Sequence, residues 1–312
     1  MTSVVTPSDS VPVKRTQSRR HAVSTLGAEI ARVWSQLSIA TASGVGSHHR
    51  VNEDSVSPLD GIAPVYLVAD GVGGGAMAAW ASRHLVTSVH RKLERHKPDA
   101  DRLAKALLDA DREIAKGIAH HSGASGAATV AACASVDAMR ATWLVAWVGD
   151  CRAYVLTRHG DARLVTRDDT YGNLGEVPPP GGSPDDPARM IGNGAVSAPN
   201  VTRIRLEWNE MLVLASDGVH KFVDAAALAR YLRDDAPLAR RCRRIVDAAR
   251  GNGSEDDATV LVVHRRVEPR ARLARRGAAL AAMLLAAAIT FGALHWHSPA
   301  GDAQSVTTEA TR

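Results

Sequence analysis

Short apolar runs broken by polar turns dominate the chain, and two longer stretches carry a helical period instead. Leu37 to Val45 is apolar and β-compatible, and it leads into the polar cluster Gly46–Asp54. Val65 to Ala69 repeats that form and ends abruptly at Asp70-Gly71. Helices are expected over Ala76–Glu94 and Asp101–His120. In the second, Leu103, Ala106, Leu107, Ala110, Ile114 and Ile118 recur at helical spacing, while Asp109, Asp111, Arg112, Glu113 and Lys116 occupy the opposite surface. Faces of this kind cover a sheet rather than build an active site.

Beyond Gly126 the texture is again that of strands, at Ala128–Ala134, Thr142–Val148 and Ala153–Leu156, separated by short polar turns. Residues 171–195, with Pro178-Pro179-Pro180 and several glycines, are poor in helix and strand formers and read as a surface loop or flap. Asp185 and Asp186 within it read as surface residues. Val201–Leu206 and Met211–Ala215 frame an Asn209-Glu210 turn, a helix follows over Ala225–Leu232, and Ala258–Val263 is a closing strand. The order is that of an α+β domain with sheets covered by helices.

Of the 312 residues 45% are hydrophobic, enough for a substantial core. The formal charge of +5 raises the question of a nucleic-acid partner. Its distribution answers no: about +5 lies in residues 265–276 and about +2 in residues 1–30, which leaves the body between them close to neutral. Cys133, Cys151 and Cys242 form no close pair and no metal-ligand spacing, so no disulfide framework is expected. Residues 1–24, rich in Ser, Thr, Val, Pro and Arg, read as a flexible arm, and the N-terminus lacks the apolar run of a signal peptide.

Acidic clusters recur where apolar strands end: Glu53-Asp54, Asp70-Gly71, Asp150, Asp217-Gly218 and Asp256-Asp257. Any one Asp-Gly pair is explained by a turn. The ordered set is harder to explain that way, because carboxylates gathered at one sheet edge repel each other unless cations neutralise them. Oxygen donors suit Mg²⁺ or Mn²⁺.

Gly46–Asp54, Val68–Gly74, Gly126–Val130, Val148–Tyr154, Leu214–Gly218 and Gly253–Thr259, taken in this order, resemble the successive motifs of the bacterial branch of the PP2C-type, metal-dependent serine/threonine protein phosphatases. The resemblance implies a four-layer α-β-β-α sandwich of two antiparallel sheets flanked by helices. It also implies two Mn²⁺ or Mg²⁺ ions held by Asp54, Asp70, Asp217 and Asp256, with the backbone carbonyl of Gly71, and Glu53 holding a metal-bound water. Asp150 matches an aspartate tied to a third, more weakly held ion. The implied reaction is hydrolysis of phosphoserine and phosphothreonine in proteins by a water bridging the two ions, in opposition to serine/threonine kinases. Partners would be phosphorylated proteins, such as those kinases or their substrates.

Three positions depart from the family pattern. His49 stands where an arginine usually binds substrate phosphate, which leaves His49 and Arg50 as alternative phosphate ligands. Val72 replaces a histidine that in some relatives is thought to protonate the leaving oxygen, so water is expected to do so. Asp257 replaces an asparagine and adds negative charge beside the site. His120 and His121, at a helix end, read as capping or exposed residues.

The resemblance ends near residue 265. Gly277–Leu294 follows as a run without charge, preceded by Arg265, Arg266, Arg270, Arg272, Arg275 and Arg276 and followed by His295-Trp296-His297. A single transmembrane helix over 277–296 is expected on this pattern, with the arginines and the catalytic domain on the cytoplasmic side of an inner membrane. The resulting plan is an arm over 1–30, a phosphatase domain over 31–265, a basic linker over 266–276, the membrane helix, and a tail over 297–312. Two other functions stay open: a phosphatase-like regulatory binding module, and a phosphomonoesterase for small molecules.

Overall fold

The computed structural model describes residues 23–31, 35–59, 65–74, 76–120, 125–194, 196, 198–267 and 280–290. The chain divides into two units, Met1–Val267 and Glu268–Arg312. In the first, the strands are β1 (Ser24–Ala31), β2 (Ser35–Gly44), β3 (Ser55–Val56), β4 (Val65–Val72), β5 (Ala127–Ser135), β6 (Thr142–Val148), β7 (Arg152–Leu156), β8 (Ala162–Leu164), β9 (Asn200–Arg205), β10 (Met211–Ala215) and β11 (Ala258–Val267). Its helices are α1 (Ala76–Leu93), α2 (Ala100–Ala119), α3 (Tyr171–Leu174), α4 (Asp217–His220), α5 (Ala225–Leu232) and α6 (Leu238–Gly251).

The strands form two antiparallel sheets, a six-stranded one in the order β1-β2-β11-β10-β7-β8 and a five-stranded one in the order β3-β4-β5-β6-β9. Strand alternation splits each apolar run between two cores. Tyr66 and Val68 of β4, Leu212 and Leu214 of β10, and Leu261 and Val263 of β11 meet between the sheets around the fully buried Trp143. Val65, Leu67 and Ala69 point the other way, onto Leu85, Val89, Leu103 and Leu107 of α1 and α2. Val213, Val260 and Val262 likewise face Cys242, Ile245 and Val246 of α6. Because these strands are buried on both faces, they read as continuous apolar runs rather than as alternating ones.

The α+β sandwich expected from the sequence is present, but several boundaries differ. Ser24–Ala31, placed largely in the arm, pairs antiparallel with β2 as an edge strand. Residues 1–22 lie outside the described residues. The α6 helix was not anticipated, and α3 occupies the start of the segment read as a flap. The three cysteines are buried and free, as their spacing suggests.

The transmembrane helix is a correction. Among the described residues no helix is long and apolar enough to cross a membrane. Within 277–296 the described part is a helix over 280–290, which at about 1.5 Å per residue spans roughly half of a hydrocarbon core about 30 Å thick. The described helix is apolar and uncharged, and it is its length that falls short of a membrane crossing. The membrane partner and the single-pass inner-membrane topology rested on that helix and fall with it. His121 and the remainder of 277–296 lie outside the described residues.

Candidate metal centre at the sheet ends

The turns that carry the acidic residues meet at one end of the sandwich because four central strands end there. Asp217 opens α4 directly after β10, Asp256 and Asp257 precede β11, Asp70 and Gly71 lie in the last part of β4, and Asp150 sits in the turn from β6 to β7. Glycine permits the closest approaches. A Cβ on Gly71 would lie 2.5 Å from the Ala78 carbonyl oxygen and 2.8 Å from that of Glu53, and one on Gly218 would lie 2.1 Å from that of Asp257.

Asp257 organises the loop after β2. Its buried carboxylate accepts the backbone N–H of Gly46 on Oδ1 at 2.7 Å, and on Oδ2 the N–H of Glu53 at 2.6 Å and Nδ1 of His49 at 3.0 Å. Asn52 ties the same loop to the sheet through Ser43 Oγ at 2.8 Å, and its Oδ1 accepts the Asp54 N–H at 3.0 Å. Glu53 and Asp54 are thereby fixed in buried positions. The expectation that Asp257 merely adds charge misses this structural part.

Asp54 Oδ2 accepts the Ser216 hydroxyl at 2.8 Å, whereas its Oδ1 is buried without a hydrogen-bond partner. Asp217 behaves alike: Oδ2 accepts Lys221 Nζ at 2.7 Å, and Oδ1 is buried without a partner. Burial, reinforced by the charge of Asp217, pushes the Asp54, Asp70 and Asp256 carboxyls up. Asp54, Asp150 and Asp256 also act on Asp70. Asp150 is pushed up to about 7 by burial and then by Asp217, against the pull of Lys221. Asp217 is the exception: burial raises it, but Lys221, with smaller help from Asp70 and His220, outweighs that and holds it below the usual carboxylate range. Five carboxylates thus act on one another, and two of their buried oxygens have no hydrogen-bond partner.

One group of three potential ligands, His49, Asp256 and Asp257, has donor atoms within 4.8 Å of one another among the described residues. Of the expected metal set only Asp256 belongs to it. The others join through their mutual fields and through Ser216 and Lys221. Burial lowers His49, but Asp257, Glu53 and Asp256 outweigh it and hold the imidazole above its ordinary value. A cavity of about 290 Å³ opens beside Asp217 and Asp256, lined also by His48, His49 and Lys221. Arg50 is exposed and does not line it. In the flap, Asp185 is exposed and Asp186 accepts the Ser183 N–H at 2.7 Å, as surface turn residues do. His120 caps α2 through its backbone N–H and is exposed.

A family model described as Protein phosphatase 2C matches residues 45–256, which include every acidic residue of the expected metal set. The chain belongs to the protein phosphatase 2C family. Probable protein phosphatase 2C 74 of Oryza sativa subsp. japonica is 32% identical over 239 residues, covering 64% of this chain and 56% of the rice protein. The chain therefore spans little more than half the length of that relative. Among solved structures, the PPM Ser-Thr phosphatase MsPP of Mycobacterium smegmatis, in complex with cacodylate, is 25% identical with a TM-score of 0.61, over 72% of this chain and 97% of that one. The catalytic domain of the phosphatase PstP, in complex with two manganese ions, has a TM-score of 0.64 at 22% identity, over 74% of this chain and 99% of that one, and shares the fold.

Lys221 lies outside the motifs read in the sequence, and Ser216 and Arg152 lie within them without a role assigned there. Lys221 had a signal, its place four residues after Asp217. Ser216 had none beyond adjacency.

Proposed function

We propose that the chain is a divalent-cation-dependent phosphatase that removes phosphate from phosphoserine and phosphothreonine in proteins, opposing serine/threonine kinases. The observation that carries this reading is the pair of buried, unpartnered oxygens, Asp54 Oδ1 and Asp217 Oδ1, within a cluster of mutually repelling carboxylates. Hard cations with oxygen ligands fit such a donor set. Asp54, Asp70, Asp217, Asp256 and the Gly71 carbonyl would hold two Mn²⁺ or Mg²⁺ ions. Bound there, the ions supply a water acidic enough to attack phosphorus near neutral pH and offset charge on the phosphoryl oxygens.

The chain's own residues supply position and charge. Glu53, fixed through its N–H by Asp257, stands beside Asp54 to orient water. His49 lines the adjacent cavity, where Arg50 does not, which favours it over Arg50 as the phosphate ligand. The open cavity admits a side chain presented on a protein surface.

Phosphopeptide hydrolysis by the full-length protein, with Mn²⁺ and with chelator, tests the reading. Activity should need the cation, and Asp54→Asn or Asp217→Asn should lower kcat/KM by at least about a hundredfold while circular dichroism stays that of a folded protein. Turnover that survives both substitutions and chelation would sink it.

A further inference from the structure

We infer that Lys221, rather than a third divalent cation, neutralises Asp150 and Asp217, so that the chain takes two ions where the family resemblance implies a third at Asp150. The inference rests on the divalent-cation reading above. Lys221 follows α4 and lies four residues after Asp217, a spacing that brings two side chains together on one helical face. Its Nζ stands 2.7 Å from Asp217 Oδ2 and 3.9 Å from Asp150 Oδ2. His220 Nε2 bonds the Asp150 backbone carbonyl at 2.9 Å, which docks α4 onto the turn that carries Asp150 and so fixes where Lys221 reaches.

A third ion between Asp150 and Asp217 would have to share their oxygens with the ammonium, at a separation where like charges repel strongly. Nor is the next carboxylate free. Asp168, whose charge acts on Asp150, receives Arg152 Nε and Nη2 on its carboxylate at 2.8–3.1 Å. On this side of the cluster the cations are therefore part of the chain. The inner side differs, since Asp54 Oδ1 and Asp217 Oδ1 meet no protein donor.

Mn²⁺ binding to the full-length protein, counted by equilibrium dialysis with paramagnetic resonance of free Mn²⁺, tests the inference. Wild type should saturate at two ions per chain. Lys221→Ala, and Lys221→Gln as a neutral variant of similar length, should each gain a third, weaker ion. Adding Asp150→Asn to either variant should return the count to two, and Lys221→Arg should stay at two. Three ions on wild type with phosphatase activity intact would overturn this inference alone, as would an unchanged count of two in both neutral variants. No Mn²⁺ on wild type would overturn the functional reading and this inference together.

Discussion

Asp257→Asn is nearly isosteric, yet the hydrogen bonds at this site make it costly. The carboxylate accepts three donors, with Gly46 N–H on one oxygen and Glu53 N–H and His49 Nδ1 on the other. An asparagine offers one accepting oxygen, and its amide must then face a backbone N–H in either flip. Turned toward Gly46, the amide loses one bond; turned toward Glu53, it opposes that N–H even where a neutral His49 accepts from it. Leaving one buried donor unmet costs about 1–3 kcal/mol, and weakening the remaining charge-assisted bonds adds to it. Asp257→Ala removes all three bonds and should cost at least twice as much. Urea unfolding of the full-length protein, with Mn²⁺ held constant, measures both. Mn²⁺ affinity should fall in parallel, because the loop that relaxes carries Glu53 and Asp54. In a double-mutant cycle, His49→Ala should cost less in the Asp257→Asn background than in wild type, by about 1 kcal/mol. An Asp257→Asn protein within about 0.5 kcal/mol of wild type would refute the argument that this carboxylate organises the loop.

Two further predictions concern the same framework. Gly218→Ala places a Cβ 2.1 Å from the Asp257 carbonyl oxygen, so the backbone on either side of Asp217 must shift; unfolding should show a loss of about 1–3 kcal/mol and titration a weaker Mn²⁺ affinity. His264, on β11 with its Nε2 unpartnered, is held down to about 4 by burial and then by Arg266 and Arg241. A histidine depressed in the fold contributes stability that is present above its unfolded value near 6.5 and is lost as pH falls toward 4. Between pH 7 and pH 5 that loss is about 2 kcal/mol, and His264→Gln should reduce the pH dependence of unfolding by that amount; an unchanged slope would contradict it.

Legibility in the sequence followed the range of the interactions. The central strands were plain because Val65–Ala69, Met211–Ala215 and Ala258–Val263 are buried on both faces and leave unbroken apolar runs. Their acidic ends were plain for the same reason, each carboxylate marking where a run stops. The α6 helix was present as Leu238, Cys242, Ile245, Val246 and Ala249 at helical spacing, but Arg240, Arg241, Arg243 and Arg244 diluted it. β1 contains Gly27 and Glu29, which weaken any strand signal, and its only strand partner is β2. Asp257 was legible as a charge beside the site but not as the organiser of the loop, because its partners lie more than 200 residues away in the chain. The membrane helix is overturned by length: absence of charge over 277–294 does not fix how far a helix runs, and the described one covers 280–290.

The charges of the site are ordered from rim to centre, and that order separates structural carboxylates from those left for a cation. At the rim each acid has a cationic partner of its own: Asp257 has His49, Asp168 has Arg152, and Asp217 turns one oxygen to Lys221. Ser216, a neutral donor, takes one oxygen of Asp54 and offsets no charge. Further in, Asp54 Oδ1 and Asp217 Oδ1 have no hydrogen-bond partner, and Asp70 feels the charges of four other acids. A fold selected for stability alone would not bury repelling carboxylates with unmet oxygens, because each such group is destabilising. The arrangement is stable when something cationic sits at the centre, so the metal-free protein should be the strained state and ion binding should be linked to folding. On the proposed reading the rim limits how many ions that centre takes, since every carboxylate oxygen already held by a cation of the chain is one fewer donor for a metal.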